Sequence, residues 1–155
     1  MRHSKSDWSH GLPDFDRPLN DRGRRQAGEA GDWISRHVGE LDTALVSSAR
    51  RTRETWGLVA ERLSYEPRTE FTESIYDASV AELQDVLGAL PDECPSAILV
   101  GHNPGVEALV HHLTGRDVAM PTSNLVVISF AGAIRAAAAG EGQVLAAGRP
   151  PAGAS

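Results

Sequence analysis

Apolar positions along this chain recur with two periods. The runs Thr43–Ser47, Ala97–Val100 and 125–130 are almost wholly apolar, as strands are when helices cover both faces, and 143–147 reads as a last edge strand. Between them the spacing becomes helical. In 20–38, Ala27, Ile34 and Val38 share a face; Asn20 is placed to cap, Leu19 to staple the first turn and Gly39 to stop the helix. Over 49–63, Trp56, Val59, Ala60 and Leu63 take core spacing, leaving the first turn and the opposite face to arginines. Ser79 and Glu82 form a capping box ahead of Leu83, Val86, Leu87 and Leu90, and Pro91 ends that helix. In the last helix Asn103 is expected to cap and Pro104 to take the first helical position, before a stripe of Val106, Leu109, Val110 and Leu113 that stops at Gly115. This alternation predicts an α/β fold, a three-layer α/β/α sandwich around a mainly parallel sheet.

The 155 residues, 41% of them hydrophobic, suffice for one core and one domain, expected over 1–148, with the Pro-, Gly- and Ala-rich 149–155 as a flexible tail. A formal charge of -6 argues against a general nucleic-acid or anionic-membrane binder, so any affinity for phosphate has to be local. No apolar run approaches the roughly 20 residues that span a bilayer. Cys94, the single cysteine, can form no internal disulfide and has no paired base. A cytoplasmic protein that meets neither nucleic acid nor membrane is expected.

Three segments carry chemistry. Arg2-His3 opens the chain, Ser47-Ser48-Ala49-Arg50-Arg51-Thr52-Arg53-Glu54-Thr55 leaves an apolar run, and Gly101-His102-Asn103-Pro104-Gly105 lies between a strand and a helix. A histidine that attacks phosphorus needs guanidinium forks on the phosphoryl oxygens and a second imidazole to share the charge that develops. His102 is also placed where a helix N-terminus attracts anions.

In this order the segments resemble the histidine phosphatase superfamily, the phosphoglycerate mutase-like family, and within it the short phosphohistidine-phosphatase branch. Arg2-His3-Ser4-Lys5-Ser6 is similar to the family's Arg-His motif, with Ser4 where most members have Gly; Pro18-Leu19-Asn20-Asp21-Arg22-Gly23 with Gln26-Ala27 resembles its Pro-Leu-Thr-x-x-Gly and Gln-Ala segment; Ser47 to Thr55 resembles its Ser-Pro-x-x-Arg-Ala-x-x-Thr. The resemblance covers nearly the whole chain and implies a phosphoglycerate mutase-like topology. It also implies a metal-independent phosphatase with no cofactor. His3 would be the nucleophile that forms a phosphohistidine; Arg2, Arg51 and His102 would bind phosphate.

The acid-phosphatase branch places an Asp after its second histidine, where this chain has Asn103. Glu73 lies roughly where the mutase branch keeps a catalytic Glu, which makes it the possible proton donor, with Asp77 as the weaker candidate. An alkoxide leaving group demands a proton, whereas imidazole leaves at modest basicity. A weak acid therefore favours P–N cleavage, and the expected partner is a protein carrying phosphohistidine. The alternatives are a small phosphorylated metabolite as substrate, or a silent phosphoprotein-binding domain. Family members begin with a short apolar strand before Arg-His; here Met1 directly precedes Arg2, so that strand is missing from the sequence and the end is expected to fray unless another segment holds His3.

Other polar residues read as structural. Adjacent His111 and His112 point to different sides of a helix and lack metal-ligand spacing; His10 and His37 default to the surface, Arg50 and Arg53 to surface pairs, and Trp8 to packing.

Overall fold

In a computed structural model that describes residues 1–152, β1 (Thr43–Ser47) is buried along its whole length and pairs in parallel with β2 (Arg68–Thr72) on one side and β3 (Ala97–Val100) on the other. A second sheet is antiparallel, with β4 (Leu125–Ser129) against β5 (Gln143–Gly148) and β5 against β6 (Pro151–Ala152). β6 thus takes up part of the expected tail, and 153–155 lie outside the described residues.

Helices cover the parallel sheet on both faces, as its apolar strands require. On one face α1 (Asp21–His37) and α2 (Arg50–Ala60) pack Trp33, Ile34, Trp56 and Val59 onto Ala44, Val46 and Val100. On the other, α3 (Val80–Gly88) and α4 (Gly105–Thr114) bury Leu83, Leu109 and Leu113 against Leu45. The caps of α1 and α3 are those the sequence predicts: Asn20 accepts from the Gly23 amide, and Ser79 and Glu82 form a reciprocal box.

Besides the tail, four features differ from the sequence reading. β2 has no counterpart there, because it is an outer strand whose residues are half-buried or exposed, so it lacks the apolar run that marks the other two parallel strands. α2 stops at Ala60, short of Leu63. Asn103 does not cap α4: its amide donates to the Met120 carbonyl at 2.9 Å and to Glu107 at 3.2 Å, and Pro104 takes the cap position.

The fourth is the N-terminal end, which does not fray. Gly101 donates its amide to the Met1 carbonyl and His3 donates to the Gly101 carbonyl, both at 3.0 Å, while the Met1 amino group donates to Leu99 O at 2.8 Å. On the other side the Arg2 amide reaches Asn124 O and the Ser123 amide reaches His3 O. Met1 to His3 thus forms a short extended splice between β3 and the start of β4, joining the two sheets. Beyond Met1 an apolar pocket of about 620 Å³ opens between the two sheets, lined by Trp33, Ile34, Ile98, Leu113 and Leu125 among others.

Ile34 is 2% exposed at the centre of the α1 face. Ile34→Ala should destabilise the fold by about 3 kcal/mol, within the range for deleting a buried aliphatic side chain, measured as a lower urea midpoint at unchanged slope.

Candidate active site

Parallel pairing brings the carboxyl ends of β1 and β3 to one edge of the sheet, the usual position for ligand sites in such folds. Ser47 ends β1, Gly101 and His102 follow β3, and the parallel bridge from Arg2 to Gly101 sets His3 beside them. Arg51 arrives from the first turn of α2. The four residues singled out as nucleophile and phosphate ligands, Arg2, His3, Arg51 and His102, therefore line one cavity of about 530 Å³.

His3 is held in a single useful tautomer. Its Nδ1 lies 2.7 Å from the Ser4 carbonyl, which can only accept, so Nδ1 carries the hydrogen and Nε2 carries the lone pair. Ser4 is itself immobilised: its amide donates to Thr55 Oγ1 at 3.0 Å and its hydroxyl meets Ser123 at 2.9 Å. Thr55 in turn donates to the Arg51 carbonyl one helical turn back, at 2.6 Å. The same helix then returns to the nucleophile, with Arg51 Nε donating to His3 Nε2 at 3.3 Å.

The His102 ring centre is 5.3 Å from that of His3, and its Nε2 is 2.8 Å from the Ser47 hydroxyl. Burial drives the His3 pKa down to about 3 and the His102 pKa to about 4, with the nearby arginines adding to both depressions. Both rings are neutral at pH 7. Three buried polar atoms at this site, Arg2 Nε, His102 Nδ1 and Asn103 Oδ1, have no protein partner, and the two nitrogens are suited to phosphoryl oxygens.

Three residues that sequence reasoning missed complete the cavity. Asp14 Oδ1 accepts from Arg17 Nε and Nη2 at 3.1 and 3.0 Å, and its Oδ2 accepts from Arg51 Nη2 at 3.1 Å and from the Tyr76 hydroxyl at 2.6 Å. The Asp14 carbonyl takes a further bond from Arg51 Nη1 at 2.7 Å. The Tyr76 hydroxyl foremost, with Arg17 and Arg51, holds the Asp14 carboxyl down at about 2. Arg17 is 7% exposed, donates to the Ser6 hydroxyl and stacks 3.4 Å over the exposed Trp8 ring. Only Arg17 left a sequence signal, as the residue before Pro18-Leu19; Asp14 opens a 3-10 turn, Asp14–Asp16, too short to show periodicity.

Glu73 is not brought to this cavity. It opens a 3-10 turn, Glu73–Ile75, with its side chain exposed, and that turn buries Ile75 and delivers Tyr76 and Asp77 to the cavity instead. Lys5 lines the cavity with them. His111 and His112 lie elsewhere, on Asp117 and Gln84, and among the described residues no cluster of His, Cys, Asp and Glu is arranged to hold a metal ion. No described helix is long and apolar enough to cross a membrane.

A family model described as the histidine phosphatase superfamily (branch 1) matches residues 1–79. Rv1276c of Mycobacterium tuberculosis is 32% identical over 143 residues, covering 85% of this chain and 88% of that protein. ML1117 of Mycobacterium leprae is 34% identical over 146 residues with the same coverage, 85% and 88%. Among solved structures, a candidate phosphohistidine phosphatase SixA of Agrobacterium tumefaciens superposes with a TM-score of 0.83 at 26% identity, over 97% of this chain and 95% of its own. The protein histidine phosphatase SixA complexed with tungstate gives 0.82 at 23% identity, over 95% and 92%.

An ordinary histidine titrates near pH 6.5. Because its pKa in the folded protein lies below that value, His3 costs stability only as pH falls beneath about 6.5, where the unfolded chain binds a proton that the site refuses. Its ring resonances should accordingly show no titration step between pH 8 and 5 by NMR.

Proposed function

The chain belongs to the histidine phosphatase superfamily and has the fold of its SixA-type members, and on that footing we propose that it hydrolyses phosphohistidine on a protein through a phosphohistidine formed on His3. One observation carries the reading: the His3 Nε2 lone pair, fixed by the Ser4 carbonyl, lies within reach of a guanidinium donor and a second neutral imidazole.

In the first step Nε2 attacks phosphorus, and the bond to the departing ring nitrogen breaks. Arg2 and Arg51 hold the phosphoryl oxygens as planar forks, and His102 donates to one of them from Nδ1 once the Ser47 hydroxyl donates to its Nε2. Water then attacks the phosphorus on His3 and releases inorganic phosphate. The negative charge is met throughout by guanidinium groups, a role that a metal ion fills in other phosphatases, so the mechanism calls for no cofactor. The exposed rim at Trp8 and Asp14 leaves the cavity open to a side chain presented by another protein.

Rapid quenching at alkaline pH, after mixing with a protein labelled on phosphohistidine, should trap acid-labile phosphate on His3. His3→Ala should abolish turnover, and Arg51→Ala should lower kcat/KM about a hundredfold, roughly 3 kcal/mol of transition-state stabilisation, with no loss on adding EDTA. Phosphate binding that persists in His3→Ala without any wild-type turnover would indicate a binding domain, and phosphoserine turnover at a comparable rate would remove the preference for phosphohistidine.

A further inference from the structure

The carboxylates that line the cavity among the described residues are Asp14 and Asp77. Asp14 is the one built into the site: it shares the Arg51 guanidinium with the nucleophile, since Arg51 Nε bonds His3 Nε2 and Arg51 Nη2 bonds Asp14 Oδ2. One guanidinium width therefore separates the attacking nitrogen from this carboxylate, whose side chain is 48% exposed toward the mouth. Its ionised state, secured by Tyr76 and two arginines, makes it useless as a proton donor.

An ionised carboxylate gives no help to an alkyl phosphate ester, whose alkoxide leaving group needs a proton on the oxygen itself. An N-phosphorylated imidazole differs. There the proton sits on the ring nitrogen that does not carry phosphorus. With that N–H in place, the electron pair of the breaking P–N bond returns to the other nitrogen and the ring departs as neutral imidazole. No proton has to reach the leaving atom.

We propose that Asp14 is a specificity-determining residue that selects N-phosphorylated imidazole by accepting a hydrogen bond from the remote ring N–H. The proposal rests on the reading of His3 as nucleophile. All four lone-pair positions of the Asp14 carboxylate are occupied, two by Arg17, one by Tyr76 and one by Arg51. The substrate's phosphoryl group, seated against His3 Nε2 before transfer, takes the Arg51 fork for its own oxygens, and the Oδ2 position held by Arg51 Nη2 falls free. The acceptor thus appears when the phosphoryl group is seated, while Arg17 and Tyr76 keep the carboxylate in place. The charged or titratable groups that line the cavity with Asp14 are Arg17 just after its own 3-10 turn, Arg51 from α2, Tyr76 beyond the turn Glu73–Ile75 and, across the cavity, Arg2, His3, Lys5, Asp77 and His102.

The test compares kcat/KM for phosphoimidazole with that for p-nitrophenyl phosphate, whose phenolate leaves without a proton. In Asp14→Asn the ratio of the two should fall tenfold or more, and the alkaline limb of the phosphoimidazole pH profile should move to lower pH, because the ring must then keep its proton unaided. Asp14→Glu should restore the ratio, and residual aryl-ester turnover reports an intact site. A proportional loss on both substrates would overturn the proposal and leave Asp14 as an anchor for Arg51; an undiminished ratio would overturn it too. Phosphoimidazole turnover that survives His3→Ala would instead overturn the nucleophile reading, whatever the ratio.

Discussion

The hydrogen bond from His3 Nδ1 to the Ser4 carbonyl is the constraint on which the site turns. Imidazole has two nitrogens of similar basicity, and only a fixed donor on one leaves the other reliably nucleophilic. The carbonyl that fixes it belongs to the next residue, so the ring and its anchor could move together. What prevents this is Ser4, fully buried and tied to Ser123 on one side and Thr55 on the other. Because Thr55 also bonds the Arg51 carbonyl, the phosphate-binding arginine and the nucleophile share one rigid frame.

Charge at the site follows the same economy. A chain with a formal charge of -6 concentrates Arg2, Arg17 and Arg51 around one cavity, and burial keeps both imidazoles uncharged there. Asp14 offsets part of that positive charge while the cavity holds no phosphate, which lowers the cost of packing three guanidinium groups together.

Sequence revealed what local physics decides. The helical faces of α1 and α3, their caps, and the apolar strands β1 and β3 are each written within a few consecutive residues. β2 was illegible because an exposed edge strand such as Arg68–Thr72 has no apolar run to announce it. The Asn103 cap was misread because its amide is drawn to Met120, 17 residues away. Motif order placed Arg2, His3, Arg51 and His102 around a common cavity, but spacing alone assigned Glu73, and a single 3-10 turn diverts that residue and brings in Tyr76. Asp14 depends on partners 37 and 62 residues distant in the chain, a connection that only folding creates.

The apolar hollow beyond Met1 bears on how the protein responds to compression. Because the pocket of about 620 Å³ opens to solvent and is not a sealed void, only the part of it that water fails to fill adds to the volume lost on unfolding. Hydrostatic pressure acts on that difference and not on hydrophobicity as such, so the junction between the two sheets, where Met1 to His3 is spliced, is the place where that volume lies.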